Sequence, residues 1–105
     1  MQSYHLKFFV QENHKLHSKL TYEWLLEHAR KIGIPGGSVF RAIAGYGRHH
    51  KLHEETFFEL AGDIPVEVGF VVTPDQADDL LALVRAENLS LFFVKTPVEF
   101  GLTIE

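Results

Sequence analysis

The chain has 105 residues, 46% of them apolar with nine phenylalanines, no cysteine, and a formal net charge of -4. That length supports one domain, residues 1–105, with a single core near the size at which burial is only just sufficient, so self-association would help it. The lack of cysteine excludes a disulfide framework, thiolate metal ligation and a cysteine nucleophile; with no export signal and no apolar run of about 18 residues, the expected location is the cytoplasm.

The charge is divided unevenly. Residues 1–53 hold eight Lys/Arg against three Asp/Glu, whereas residues 54–105 hold two against eleven, and no acidic residue occurs from His28 through His53. An anionic ligand would favour the first half; two halves neutralising each other within the domain or across a subunit contact is the alternative.

Tyr4 to Val10 alternates, with Tyr4, Leu6, Phe8 and Val10 on one face and His5, Lys7 and Phe9 on the other, the period of a strand. Phe9 on the polar side implies that this side is covered too. Gln11 to Leu16 reads as a polar loop, and Ser18 as the N-cap of a helix reaching about Ile32, because Tyr22, Leu25, Leu26, Ala29 and Ile32 recur at helical spacing. Gly33 ends that helix and Pro35 forbids its continuation.

Ser38 to Gly45 is apolar on both faces apart from Arg41, which predicts a strand central in the sheet or packed on another subunit. Gly45 to Glu55 follows as a cationic, glycine-containing loop, then the short apolar segment Thr56–Leu60 and a turn at Gly62–Asp63. Pro65 to Val72 alternates again as a strand. Thr73, Pro74 and Gln76 form a capping-box start for a helix to about Glu87, with Ala77, Leu80, Leu81 and Val84 inward. A last strand begins at Leu91 and continues to Val98 or Phe100, with Pro97 marking an edge or bulge.

The order is β-α-β-β-α-β, so the expected class is α+β: a ferredoxin-like sandwich whose four-stranded antiparallel sheet carries both helices on one face. Phe9, Phe40 or Val39, Val71, and Phe92 or Phe93 cannot all lie behind two helices. The second face is therefore expected to be buried by self-association.

The chemistry concentrates between Gly33 and Glu55, which hold five of the eight glycines and three of the seven histidines. Gly45-Tyr46-Gly47 has neither the Walker spacing nor a following helix, so it is no phosphate-binding P-loop or dinucleotide fingerprint. Its close-approach backbone, followed by Arg48, His49, His50, Lys51 and His53, suits a phosphate or other anion; a solvated hairpin tip is the plainer reading. His49, His50 and His53 also offer imidazoles for zinc or copper, although H-H-x-x-H matches no strong closed-site pattern. No nucleophile elbow is present, Asp75, Asp78 and Asp79 suit the second helix's dipole, and the chain is expected not to be an enzyme. A pI of about 5.9 with one cationic stretch argues against nucleic acid.

The segment GIPGGSVFRAIAGYG, after a helix and before a short charged loop, resembles the hallmark of the PII-like domain-of-unknown-function family 190, G-[IL]-x-G-[AG]-[ST]-V-x-R-G-I-x-G-[FY]-G. LAGDIPVEVGFV is similar to the same family's strand entry. The resemblance covers essentially the whole chain. It implies kinship with PII signalling proteins and CutA, a homotrimer with its sheets facing inward, and inter-subunit clefts that in several relatives take adenine nucleotides. On that basis the nucleotide-binding set is Arg41, Gly45, Tyr46 and Gly47, joined by Arg48 on its chemistry, and residues 46–55 stand where PII proteins carry their reporting loop. No cofactor is certain; an adenine nucleotide is the implied effector, and a membrane transporter or channel the implied partner. Ala42 replaces the family's glycine, and Ala86 to Ser90 lacks the glycine- and lysine-rich phosphate loop of PII proteins. The β/γ-phosphate clamp is accordingly not carried over. A CutA-like divalent-metal protein using His49, His50 and His53 is the alternative.

Overall fold

The computed structural model describes residues 2–46, 53–54 and 64–105. Its sheet contains β1 (Ser3–Gln11), β4 (Gly37–Arg41), β7 (Pro65–Val72) and β8 (Phe92–Val98) in the order β4-β7-β1-β8, with each neighbouring pair antiparallel. Helices α1 (Thr21–Lys31) and α2 (Pro74–Ala86) connect the strands. This is the α+β ferredoxin-like sandwich, with β1 and β7 central.

Alternation in the central strands decides which face becomes the core. Leu6, Phe8 and Val10 of β1 and Val66, Val68, Phe70 and Val72 of β7 are buried, and they pack with Trp24, Leu25 and Ala29 of α1 and Ala77, Leu80, Leu81 and Val84 of α2. Each of the Val, Leu and Phe side chains among these stabilises the fold by roughly 1.5–3 kcal/mol on leaving water, before conformational entropy is charged. Both helices thus cover one face of the sheet.

The ends of the helices follow local chemistry. The Thr73 hydroxyl accepts from the Gln76 amide while the Gln76 side chain accepts from the Thr73 amide, and Pro74 occupies the first turn, where no amide proton is needed. Helix α1 stops at Gly33, whose φ of +95° is in the region that favours glycine, and the Gly33 carbonyl accepts from the Gln76 side chain. Gly37 is fixed by packing, since a Cβ there would lie 2.5 Å from the Phe70 ring.

Helix α1 begins differently from the expectation at Ser18. Ser18 is not its N-cap: Lys15–Leu16 (β2) and Lys19–Leu20 (β3) form a small ladder, turned by His17 and Ser18 at φ 55° and 65°. These are the two left-handed residues that a tight hairpin needs. The helix starts after Leu20, which supplies no side-chain cap. Instead the Thr21 amide donates to the His14 carbonyl (2.8 Å) and the Thr21 hydroxyl shares a hydrogen bond with His14 Nδ1 (2.6 Å). Local pairing across the turn replaces the cap, and the expected loop is partly ladder.

The strand expected from Ser38 through Ala44 is shorter and is not central. It ends at Arg41, after which the Ala42 amide donates to the Pro65 carbonyl (3.0 Å) and the chain bends. Ala44–Gly45 (β5) then pairs with His53–Glu54 (β6), in the register Ala44 to Glu54 and Gly45 to His53. Strand β4 lies at the edge of the sheet. It reads as apolar on both sides because Val39 packs against the helix-covered core while Phe40 points the other way, 67% exposed.

That second face is apolar and has no described helix over it. Register puts Phe40, Glu67, Phe9 and Phe92 in one row across the four strands, and Ser38, Gly69, Lys7 and Val94 in the next. Phe9 and Phe92 pack with ring centroids 5.4 Å apart, yet Phe92 stays 70% exposed. The expected excess of apolar side chains on this face is therefore present. Beyond β8 the same period-two stripe continues through Phe100, Leu102 and Ile104, all exposed.

Candidate functional site

Three strand ends meet at one corner of the sheet, and this corner carries Arg41. Strand β1 leaves the sheet at Gln11, β7 enters it at Pro65, and β4 leaves it at Arg41. Backbone hydrogen bonds staple them: the Glu12 amide donates to the Ile64 carbonyl (2.6 Å), and the Ala42 amide to the Pro65 carbonyl. Arg41 is opposite Val66 in the register, and its guanidinium Nη2 donates to Glu12 Oε2 at 2.6 Å. A charge-assisted contact this short orients the guanidinium at the corner with half of its side chain exposed.

Four residues further on, the chain forms the base of the β5/β6 hairpin. Gly45 is within that ladder and Tyr46 follows it, 69% exposed. Arg41, Gly45 and Tyr46 are thus gathered along one short path from the sheet corner into the hairpin. Gly47, Arg48, His49 and His50 lie outside the described residues, and His53 is described only as the backbone partner of Gly45. Among the described residues no cluster of three or more His, Asp or Glu side chains forms a metal site.

The other histidines have structural settings. His28 stacks on Trp24 at 4.2 Å between ring centroids and donates from Nδ1 to the Trp24 carbonyl. His14 bonds Thr21, and His17 Nε2 donates to the Glu87 carboxylate (2.6 Å). His5 is on the second sheet face, where its Nε2 lies 2.9 Å from where a Cβ on residue 69 would be. Trp24 itself is 4% exposed and belongs to the core.

Among the described carboxylates, Glu27 is the one whose surroundings displace its protonation. The Lys19 ammonium, and then that of Lys31, hold it below its ordinary value. This triad bridges the β2/β3 hairpin to α1 and shares no residue with the Arg41 corner.

A concavity of about 740 Å³ lies elsewhere, on the uncovered face, walled by His5, Lys7, Phe40, Glu67, Val71 and Phe100. It does not include Arg41, Gly45 or Tyr46. Its floor is Gly69 and its charged groups, Lys7 and Glu67, already pair at 3.5 Å. We assign it to the apolar face rather than to a separate ligand site, because its walls are that face's own side chains.

Sheet order, helix placement and the hairpin beyond β4 together define a PII-like form of the ferredoxin fold. Residues 3–98 match the model of DUF190, described as Uncharacterized ACR, COG1993, and the chain belongs to that family. It is 31% identical over 86 residues to a UPF0166 protein of Aquifex aeolicus strain VF5, covering 82% of each chain. It is also 31% identical over 61 residues to UPF0166 protein MJ1524 of Methanocaldococcus jannaschii, covering 58% of this chain and 56% of that one. Among solved structures it resembles CPII of Thiomonas intermedia K12 bound to ADP and bicarbonate, with a TM-score of 0.66 at 20% identity over 99% of this chain and 93% of that one. CPII bound to ADP, AMP and acetate gives 0.63 at 19% identity, over 98% and 92%. At these identities the likeness to CPII is one of fold.

Proposed function

We propose that the chain is a PII-like regulatory protein, not an enzyme, that binds an adenine nucleotide or similar small anion at Arg41, Gly45, Tyr46, Gly47 and Arg48. It acts as one domain, residues 1–105, and as a cytoplasmic homotrimer whose sheets face one another, so that the nucleotide enters a cleft between copies. Residues 46–55 report the ligand to a partner, for which a membrane transporter or channel is our choice. Among the described residues no helix is long and apolar enough to cross a membrane, which suits a regulator that acts on such a partner from outside the bilayer.

The observation that carries this reading is the placement of Arg41. It sits where a strand runs into a glycine-containing hairpin, so a cation and closely approachable backbone are offered together, a combination suited to phosphate oxygens. The CPII structures of the same fold, described as bound to ADP or AMP, favour a nucleotide over a simple anion. Calorimetric titration with AMP, ADP, ATP and cyclic AMP tests it: saturable heat with at least one is expected. No heat with any of them at millimolar concentration would remove the nucleotide reading.

A further inference from the structure

We infer that Glu12 is a built-in competitor for the anion at Arg41, so that the site is held partly closed by the protein's own carboxylate. The inference rests on the nucleotide reading above and names a residue that reading does not contain. Arg41 is the only cationic side chain of the candidate set among the described residues, and its Nη2 donates a hydrogen bond to Glu12 Oε2 at 2.6 Å.

The pair differs from a casual surface contact in how its acidic member is held. On one side the Glu12 amide is bonded to the Ile64 carbonyl. On the other, the His14 amide is bonded to the Gln11 carbonyl, and His14 in turn receives the Thr21 amide at the start of α1. The backbone that presents the carboxylate is therefore tied both to the central strand β7 and to the first helix. The backbone at its base is thus fixed, and the carboxylate is already on Arg41 before any ligand arrives.

A guanidinium binds phosphate best through two parallel N–H donors on one edge. With one Nη2 proton given to Glu12, an incoming phosphate must displace the carboxylate or approach it as a like charge at close range. Both cost binding free energy, and both are reduced when the carboxylate becomes a neutral amide, which can still accept a hydrogen bond from Nη2 but carries no charge. Removing Glu12's charge thus strengthens binding, the reverse of what loss of a supporting residue does.

The test is titration of ADP into the full chain, into Glu12→Gln and into the double variant Glu12→Gln/Arg41→Gln, with circular dichroism to verify the fold. The expected result is about tenfold tighter binding by Glu12→Gln, the scale set by one exposed ion pair together with one repulsive charge, and loss of that gain when Arg41 is also replaced. Heat with Glu12→Gln alone supports the same conclusion. ADP bound by the unaltered chain but equally or less tightly by Glu12→Gln overturns the competitor role and leaves the nucleotide site standing. Absence of heat from both the unaltered chain and Glu12→Gln with ADP, and equally with AMP, ATP and cyclic AMP, removes the site and the competitor together. Should Glu12→Gln not fold, Glu12→Ser carries the same test with the same expected direction.

Discussion

Replacing Phe40 by aspartate should convert the proposed trimer to monomers without unfolding the chain. Phe40 projects from the edge strand onto the uncovered face with 67% of its surface in solvent. If a phenylalanine carries about 200 Å² and burial contributes about 25 cal/mol per Å², covering that exposed fraction against a neighbouring copy stabilises the assembly by about 3 kcal/mol per subunit. The aspartate forfeits this and places an unpaired charge in the contact, which adds a penalty of several kcal/mol. In the monomer the same substitution is at an exposed site and changes stability by only about 0.5 kcal/mol. Sedimentation velocity from micromolar to hundreds of micromolar should show a trimer for the unaltered chain and a monomer for Phe40→Asp, with matching far-ultraviolet spectra. A monomeric unaltered chain, or a variant that assembles equally well, would refute the argument that this face is a subunit contact.

Three further outcomes can be measured independently. Arg41→Gln should weaken ADP binding by about tenfold or more, as expected for loss of a charge-assisted phosphate contact, while denaturant midpoints stay close to those of the unaltered chain; calorimetry and urea titration check both halves. Gly37→Ala should destabilise the fold by about 1–3 kcal/mol in urea denaturation, because the added Cβ would meet the Phe70 ring at 2.5 Å and that ring is held in the core. Glu27 is depressed in the folded state by Lys19 and then Lys31, so its stabilising contribution is full above its ordinary value of 4.5 and is lost as the pH falls through that value and the lower folded one. Acid titration of stability should therefore lose this component in Glu27→Gln, and in high salt for the unaltered chain, while a pH profile indistinguishable from that of the variant would count against the triad.

What the sequence disclosed and what it concealed divide along physical lines. Strands β1 and β7 and helix α2 were legible because alternation, helical spacing and the Thr73–Gln76 capping box are all local signals, and all three point the same way. The excess of apolar residues beyond what two helices can cover was also legible as a count of phenylalanines. The β2/β3 hairpin was not, because His17 and Ser18 are neither glycine nor asparagine, and left-handed conformations are seldom signalled by such residues. The end of β4 at Arg41 was hidden for another reason: Ile43 and Ala44 continue the apolar run, and only the hydrogen bond from Ala42 to Pro65 shows where the strand turns away. At the candidate site the motif drew attention to Arg41 and the glycines. Glu12 was invisible, being 29 positions earlier in a segment that reads as polar loop, and no spacing rule links the two residues.

Position on β4 ties assembly and ligand site to a single step of the chain. Phe40 and Arg41 are consecutive, so the pleat sends one toward the uncovered face and the other toward the helix side at the sheet corner. In the proposed trimer a copy that covers Phe40 approaches the edge strand that also carries Arg41, and any part of it that reaches around that edge would form a wall beside the guanidinium. Such a wall limits how far an anion at Arg41 is exposed to water and raises the strength of every charged contact there. It acts equally on the contact between Arg41 and Glu12 and on the contact between Arg41 and a phosphate, so assembly alone does not choose between them. On the nucleotide reading proposed above, the choice falls to the other groups of the proposed set that the ligand engages. On the proposed reading, a segment that follows β4 so closely would report occupancy, because it would gain or lose contacts when Arg41 exchanges one partner for the other.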